Sequence, residues 1–383
     1  MEVTYLPFDA PLTDYVRQAD ALLAGWNAGD QAAIEAFRQK HPKFLDAKIP
    51  WLQRHMTPEE VRATPIDRDD AMLAVARGYD FADWERLRDY VEAVRQPGSP
   101  VETFERAVET VIEGDIATLK RLLTDHPDLV RARSTRVTHF DPPVHGAMLL
   151  HYVASNGVEG YRQRSPMNAA DVAKVLLDAG ADPDALCNLY GSKCTTMALL
   201  VSSTPPARAG VQLPVLNVLI DYGASITPTG EGSWTSPIAT ALVLGFRDAA
   251  QTLVDRGAPV DSLADAAGLG RIDDVKRMLL SAGPDERHRA VAMAAQLGQV
   301  EVVGLLLDAG EDPNRYNPPG THAHSTPLHQ AIAAGHLAVV QLLVERGVRL
   351  DVRDSIYRAT PLGWARYCEK PEIAEYLIAR GAS

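Results

Sequence analysis

Ser325 to Gly347, STPLHQAIAAGHLAVVQLLVERG, constrains this chain more than any other stretch, because it reads as two short antiparallel helices. Thr326 stands where a helix N-cap belongs, its hydroxyl available to an orphan backbone N–H. Pro327 follows at the first helical position, where a missing N–H costs nothing. Leu328, Ala331 and Ile332 mark the buried side, and Gly335 ends the helix by accepting a left-handed conformation. The second helix starts near Leu337, is expected to bury Val339, Val340, Leu342 and Leu343, and ends at Gly347. Helices shorter than ~12–15 residues are marginal alone in water, so the pair must stack on copies of itself.

Copies are present. Thr360-Pro361-Leu362 follows Thr326-Pro327-Leu328, and Gly381 follows Gly347, both at about 34 residues. Thr326-Pro327-Leu328-His329-Gln330-Ala331 matches T-P-L-H-x-A at every specified position, and on these residues the chain resembles ankyrin-repeat proteins. The resemblance implies an all-α ankyrin-repeat solenoid of helix–turn–helix units joined by short projecting β-hairpins. It also implies binding rather than catalysis.

Weaker pairs precede these. Residues 13–44 and 102–131 share the punctuation Gly29-Asp30 with His41-Pro42 and Gly114-Asp115 with His126-Pro127, and read as divergent units. Ala76 to Trp84 resembles the segment preceding the repeats in many bacterial ankyrin-repeat proteins, with Asp80 and Asp83 as departures. The linker QPGSPV at 96–101 suggests a helical N-terminal cap over 1–98 and a solenoid of about eight units over 99–383, the first divergent. The unit from Asp261 to Gly283 is too terse for a finger at its start. Inserted loops at 158–169 and 203–212 lengthen adjacent repeats at equivalent turns, which places both on one edge, and such insertions commonly lie on a binding face.

The net charge of −12 argues against a phosphate-backbone surface, so no nucleic-acid partner is expected. Cys187, Cys194 and Cys368 form no disulfide framework and no metal-type pair. The start of the sequence has no basic stretch followed by an apolar one, and no apolar run reaches the ~20 residues of a membrane span. The expectation is a cytoplasmic monomer without membrane contact. His139, His145 and His151 lack metal-ligand spacing, as do His322, His324 and His329; His151 and His329 occupy the consensus histidine position. No G-x-S-x-G, H-E-x-x-H or kinase set is present, so no enzyme, metal or cofactor is expected.

Candidate binding residues follow from the ankyrin register. It puts Lys193, Trp234, His324 and Arg358 on the fingers, and Tyr152, Thr240, Gln330 and Trp364 on the inner side of the first helices. Trp, Tyr and Arg are enriched at binding hot spots; the competing reading is that Tyr152 and Trp364 pack between repeats. Arg131, Arg133, Arg136, Arg162, Arg164, Lys193 and Arg208 gather around the inserted loops, with Tyr161 and Tyr190 beside them. Such forks suit a carboxylate or phosphate, hence an acidic or anionic partner, unless they bridge to neighbouring aspartates and pin the loops. The function expected is a scaffold binding a protein or peptide through the concave face. The alternative is an enzyme or small-molecule or anion sensor with a pocket rimmed by the insertions.

Overall fold

The computed structural model describes residues 5–383. Among these the regular structure is helical apart from one hairpin, Cys187–Leu189 paired antiparallel with Ser192–Cys194. The chain forms two compact units, one ending at Ala224 and one spanning Ser225–Ser383. The boundary expected after residue 98 falls inside the first unit. Ser99 explains why: its hydroxyl donates to Ala93 O (2.7 Å) and accepts from Glu102 N–H (3.1 Å), fastening the helix Pro100–Glu113 to Trp84–Val94.

The second unit is a stack of five helix pairs: Pro237–Val243 with Arg247–Asp255, Leu263–Leu269 with Ile272–Leu279, Pro284–Gln296 with Val300–Asp308, Pro327–Ala334 with Leu337–Glu345, and Pro361–Tyr367 with Pro371–Ala379. The first helices bury small residues (Ala266, Ala267, Ala294, Ala331, Ala365) and the second helices larger ones (Val303, Leu306, Val340, Leu343, Leu377), in one continuous core. Val339, Val340 and Leu343 form the buried stripe of their helix. Leu342, also expected inside, lies at the stripe's edge and is only partly covered. Fingers are absent before both Leu263 and Pro284, where the connections are short. First helices then approach closely: a Cβ on Gly268 would meet Met293 Cγ at 2.7 Å and Leu242 Cδ1 at 3.3 Å.

One contact recurs from pair to pair. The glycine ending a first helix is left-handed (Gly245 φ 83°, Gly270 φ 75°, Gly298 φ 75°, Gly335 φ 83°); at Gly270 and Gly298 a side chain of the following pair lies where a Cβ would stand, at Gly335 one lies at van der Waals distance, and Gly245 has no such neighbour. Gln299 Oε1 would be 2.5 Å from a Cβ on Gly270, His336 Nδ1 2.7 Å from one on Gly298, and Lys370 Nζ 3.4 Å from one on Gly335. In the first unit Asn168 covers Gly114 in the same way. The covering amides also cap orphan carbonyls at the helix end: Gln299 Nε2 donates to Gly268 O and Asn168 Nδ2 to Gly114 O, both at 2.9 Å.

This contact is testable by comparing two glycines of similar backbone. Gly347 (φ 78°) has no atom within 4 Å of a built Cβ, so Gly347→Ala should lose only the ~1–2 kcal/mol left-handed penalty. Gly298→Ala should lose more, because His336 must also move. The excess should vanish in a His336→Ala background, measured by urea denaturation.

Candidate functional site

The C-terminal finger is built around Asp354. This buried carboxylate accepts from Ile356 N–H (3.0 Å), Tyr357 N–H (2.6 Å), Ala359 N–H (2.9 Å) and Trp364 Nε1–H (3.0 Å). Burial pushes its pKa up, but the Trp364 and backbone donors outweigh burial and hold it below the usual value. Trp364 is thereby fixed, half-buried, with its ring 5.9 Å from His324 and edge-on to His329 at 5.2 Å. Arg358 (φ 58°) and Tyr357 are exposed at the finger's tip.

The consensus histidines anchor helix starts. His329 Nδ1 lies 2.8 Å from the Thr326 hydroxyl and accepts from Thr326 N–H at 3.4 Å, so the histidine takes the place of the backbone cap expected for Thr326. His151 Nδ1 accepts from Met148 N–H (3.0 Å), and its Nε2 donates to Ala185 O (3.0 Å) in the next finger. Burial lowers the pKa of each to about 4. Both rings are therefore neutral in the folded protein and bind protons in the unfolded chain from about pH 6.5 downward. Their contribution is complete above that pH and is lost as pH falls toward 4, by up to about 3 kcal/mol for the fully buried His151. Melting temperature should fall across this window, and His151→Gln should flatten the slope.

An open groove of the second unit runs along the ends of its first helices. Val243, Leu244, Leu297, Ala333 and Ala334 give it an apolar floor, Gln296 and Gln330 add amides, and Gly245, Arg247, His322 and His336 complete a volume of about 610 Å³. Val243 O accepts from Gln296 Nε2 (2.6 Å) and from His322 Nε2 (2.9 Å). His322 belongs to the finger closed by Asn317 N–H to Ser325 O (2.8 Å), which Arg289 Nη1 holds at Pro319 O (2.5 Å). The finger reaches Val243 because the two intervening pairs carry no finger of their own. Of the groove residues the sequence marks Gln330 as a binding candidate, and His322 only as a histidine without metal-ligand spacing. A signal was present in three of the pairs, where lining residues follow Thr240, Met293 and Gln330 by three and four residues.

The first unit places the expected arginine cluster differently. Arg162 is 1% exposed, with Nη1 2.7 Å from Glu105 Oε2 and Nη2 2.9 Å from Glu109 Oε1. Arg136, also buried, lies 3.3 Å from Glu105 and 3.5 Å from Glu159, donates to Tyr161 Oη (2.8 Å), and stacks over the rings of Phe81, Tyr90 and Tyr161. His145 Nε2 meets Glu159 at 3.2 Å. Burial drives the Glu105 and Glu159 pKa values up, yet the guanidiniums (and, at Glu159, His145) outweigh it and hold both below the usual carboxylate range. Asp80 ties the inserted loop down by accepting from Gly160 N–H (2.5 Å); burial raises its pKa.

Several residues expected at the surface are thus interior: Tyr152, Arg162 and Arg136 here, and Thr240 and Gln330 in the second unit. Tyr152, 1% exposed, packs beside Phe104 and donates to Glu159 (3.4 Å), and Arg162 balances buried glutamates of the helix Pro100–Glu113 and the inserted loop, not neighbouring aspartates. Tyr161 is half-buried against Tyr5 and Tyr79. Arg164 is 58% exposed at its side chain, and Lys193 and Tyr190 are exposed at the hairpin, where Tyr190 donates to Asn156 Oδ1 (2.7 Å). Trp234 is half-buried and Thr240 is buried, both in the second unit. Arg162→Ala should cost about 3–5 kcal/mol by stranding buried carboxylates. Arg164→Ala should stay within about 0.5 kcal/mol in the same denaturation measurement.

No helix among the described residues is long and apolar enough to cross a membrane. The family described as Ankyrin repeats (3 copies) matches residues 263–354 and 291–383. The chain is 26% identical over 344 residues to "Ankyrin repeat and KH domain-containing protein mask-1" of Caenorhabditis elegans, covering 87% of this chain and 12% of that protein. It is 37% identical over 98 residues to "Ankyrin repeat and SAM domain-containing protein 6" of Mus musculus, covering 26% of this chain and 11% of that protein. It therefore spans only a small part of either relative. Over 124 residues it is 36% identical to "Cyclin-dependent kinase inhibitor 2A" of Homo sapiens, covering 31% of this chain and 76% of that protein. With the T-P-L-H-x-A helix start, the stacked helix pairs and these matches, the chain belongs to the ankyrin-repeat family.

Proposed function

We propose that this protein recognises another protein, without catalysis, through the groove and fingers of its second unit. The observation that carries this reading is the groove of about 610 Å³, with its apolar floor and amide-bearing walls. Interfaces concentrate their energy in such central apolar patches ringed by polar groups. His324, Trp364 and Arg358 stand on the finger side of the same unit, where a fixed indole and an exposed guanidinium suit a protein surface. A relative whose name makes it an inhibitor of a kinase is a protein that acts on a protein, which agrees with this role. The insertion-rimmed sensor has less support, because Arg136 and Arg162 are already matched by Glu105 and Glu159. Tyr190, Lys193 and Arg164 remain a secondary exposed set on the first unit, and Trp234 a half-buried one on the second.

The test is a selection of displayed random 16-residue peptides on the immobilised full chain. Ala334 is exposed on the groove floor, so Ala334→Tyr fills the groove without disturbing the core. Selected peptides should lose binding to this variant at unchanged melting temperature. Peptides that bind it as well as the parent place recognition elsewhere.

A further inference from the structure

The charges around the groove go beyond recognition in general. The chain carries a net charge of −12, yet no aspartate or glutamate lines this groove. Arg247 does line it, is exposed, and has no carboxylate partner among the described residues. Lys370, outside the lining, lies beside Gly335 and the lining residue His336, so a second cation stands near the groove's edge. Asp265, in the Gln330 register on the helix Leu263–Leu269, is buried and does not reach the lining.

The hydrogen-bonding groups are selective as well. Val243 O is already doubly occupied, and the Nε2 groups of Gln296 and Gln330 point to Val243 O and to Ser325 Oγ (2.8 Å). Both amide N–H groups are thereby committed within the protein, and Gln330 is itself buried. The groove thus offers an apolar floor and, at Arg247, unpaired positive charge.

We infer that the partner enters this groove as an acidic peptide segment, with an apolar side chain seated on Leu244, Leu297, Ala333 and Ala334 and a carboxylate facing Arg247. The inference rests on the reading that this face binds a protein, and it specifies the chemistry of the bound segment. A basic segment would meet Arg247 in the lining and Lys370 near it, and a wholly polar one would leave the apolar floor without an apolar partner. In an acidic protein, a local cationic site also draws the segment in and fixes its direction, since electrostatic complementarity acts on encounter and register more than on raw affinity.

The same displayed peptide selection decides the matter, with the chain and its Ala334→Tyr, Arg247→Glu and Arg247→Lys variants as targets. Enriched peptides should carry Asp or Glu beside Leu, Phe or Met, and lose all measurable binding to Ala334→Tyr. Synthetic copies should weaken about tenfold with Arg247→Glu and much less with Arg247→Lys, and should weaken as salt is raised. Peptides sensitive to Ala334→Tyr but neutral or basic, or indifferent to Arg247→Glu, overturn the acidic segment and leave the groove as the binding face. Peptides indifferent to Ala334→Tyr, or no enrichment on the parent chain, overturn both.

Discussion

The meeting of a left-handed glycine with a side chain from the following helix pair links helix termination to stacking wherever it occurs, and Gly245 alone among the glycines that end first helices in the second unit lacks it. Each first helix must end abruptly so that its partner can fold back, and a left-handed glycine does this without Cβ strain. The same missing Cβ leaves a hollow beside the helix end, where carbonyls lack intrahelical partners. Gln299 at Gly270 and Asn168 at Gly114 fill the hollow and donate to one of those carbonyls. His336 at Gly298 occupies the same place, and at Gly335 Lys370 lies at van der Waals distance from it. A local need, helix termination, thus becomes a contact between neighbours. Because no pair is long enough to be stable alone, order spreads along the stack through such contacts and the Ala–Val–Leu core behind them.

Irregularities in the repeat create the groove. Where fingers are missing before Leu263 and Pro284, the first helices approach as closely as Gly268 allows, and the floor is left uncovered. The next finger then crosses the gap, and His322 lands on Val243 O, 79 residues away in sequence. A run of fully regular units would occupy these positions with successive fingers instead. The candidate binding face is therefore a consequence of what two units lack.

The first unit solves a different problem. Its divergent helix pairs cannot rely on consensus packing, and the inserted loop brings Glu159, Tyr161 and Arg162 into contact with Asp80, Glu105 and the cap's aromatic residues. Burying two arginines and two glutamates carries a heavy desolvation cost, offset here by mutual pairing, tyrosine hydroxyls and the aromatic rings around Arg136. Such a network tolerates few alternative arrangements, since any misplacement strands a buried charge. Its contribution is to fix one geometry for the loop.

The sequence alone determined the repeat, the glycine and Thr-Pro punctuation, the consensus histidines and the terse unit at Asp261, because these obey local periods and cap chemistry. It also marked Trp364 and His324, whose places follow from the register. Tertiary structure alone decided the fate of the arginines. Spacing could gather Arg136, Arg162 and Arg164 near one loop, but could not say that Glu105 lies 31 residues before Arg136 and opposite it in space. Charge density in sequence does not distinguish a solvated patch from a neutralised interior, because that depends on which carboxylates the fold brings within a few ångströms. The same holds for the groove: Arg247 stands out only once the fold shows that no carboxylate lines the groove beside it.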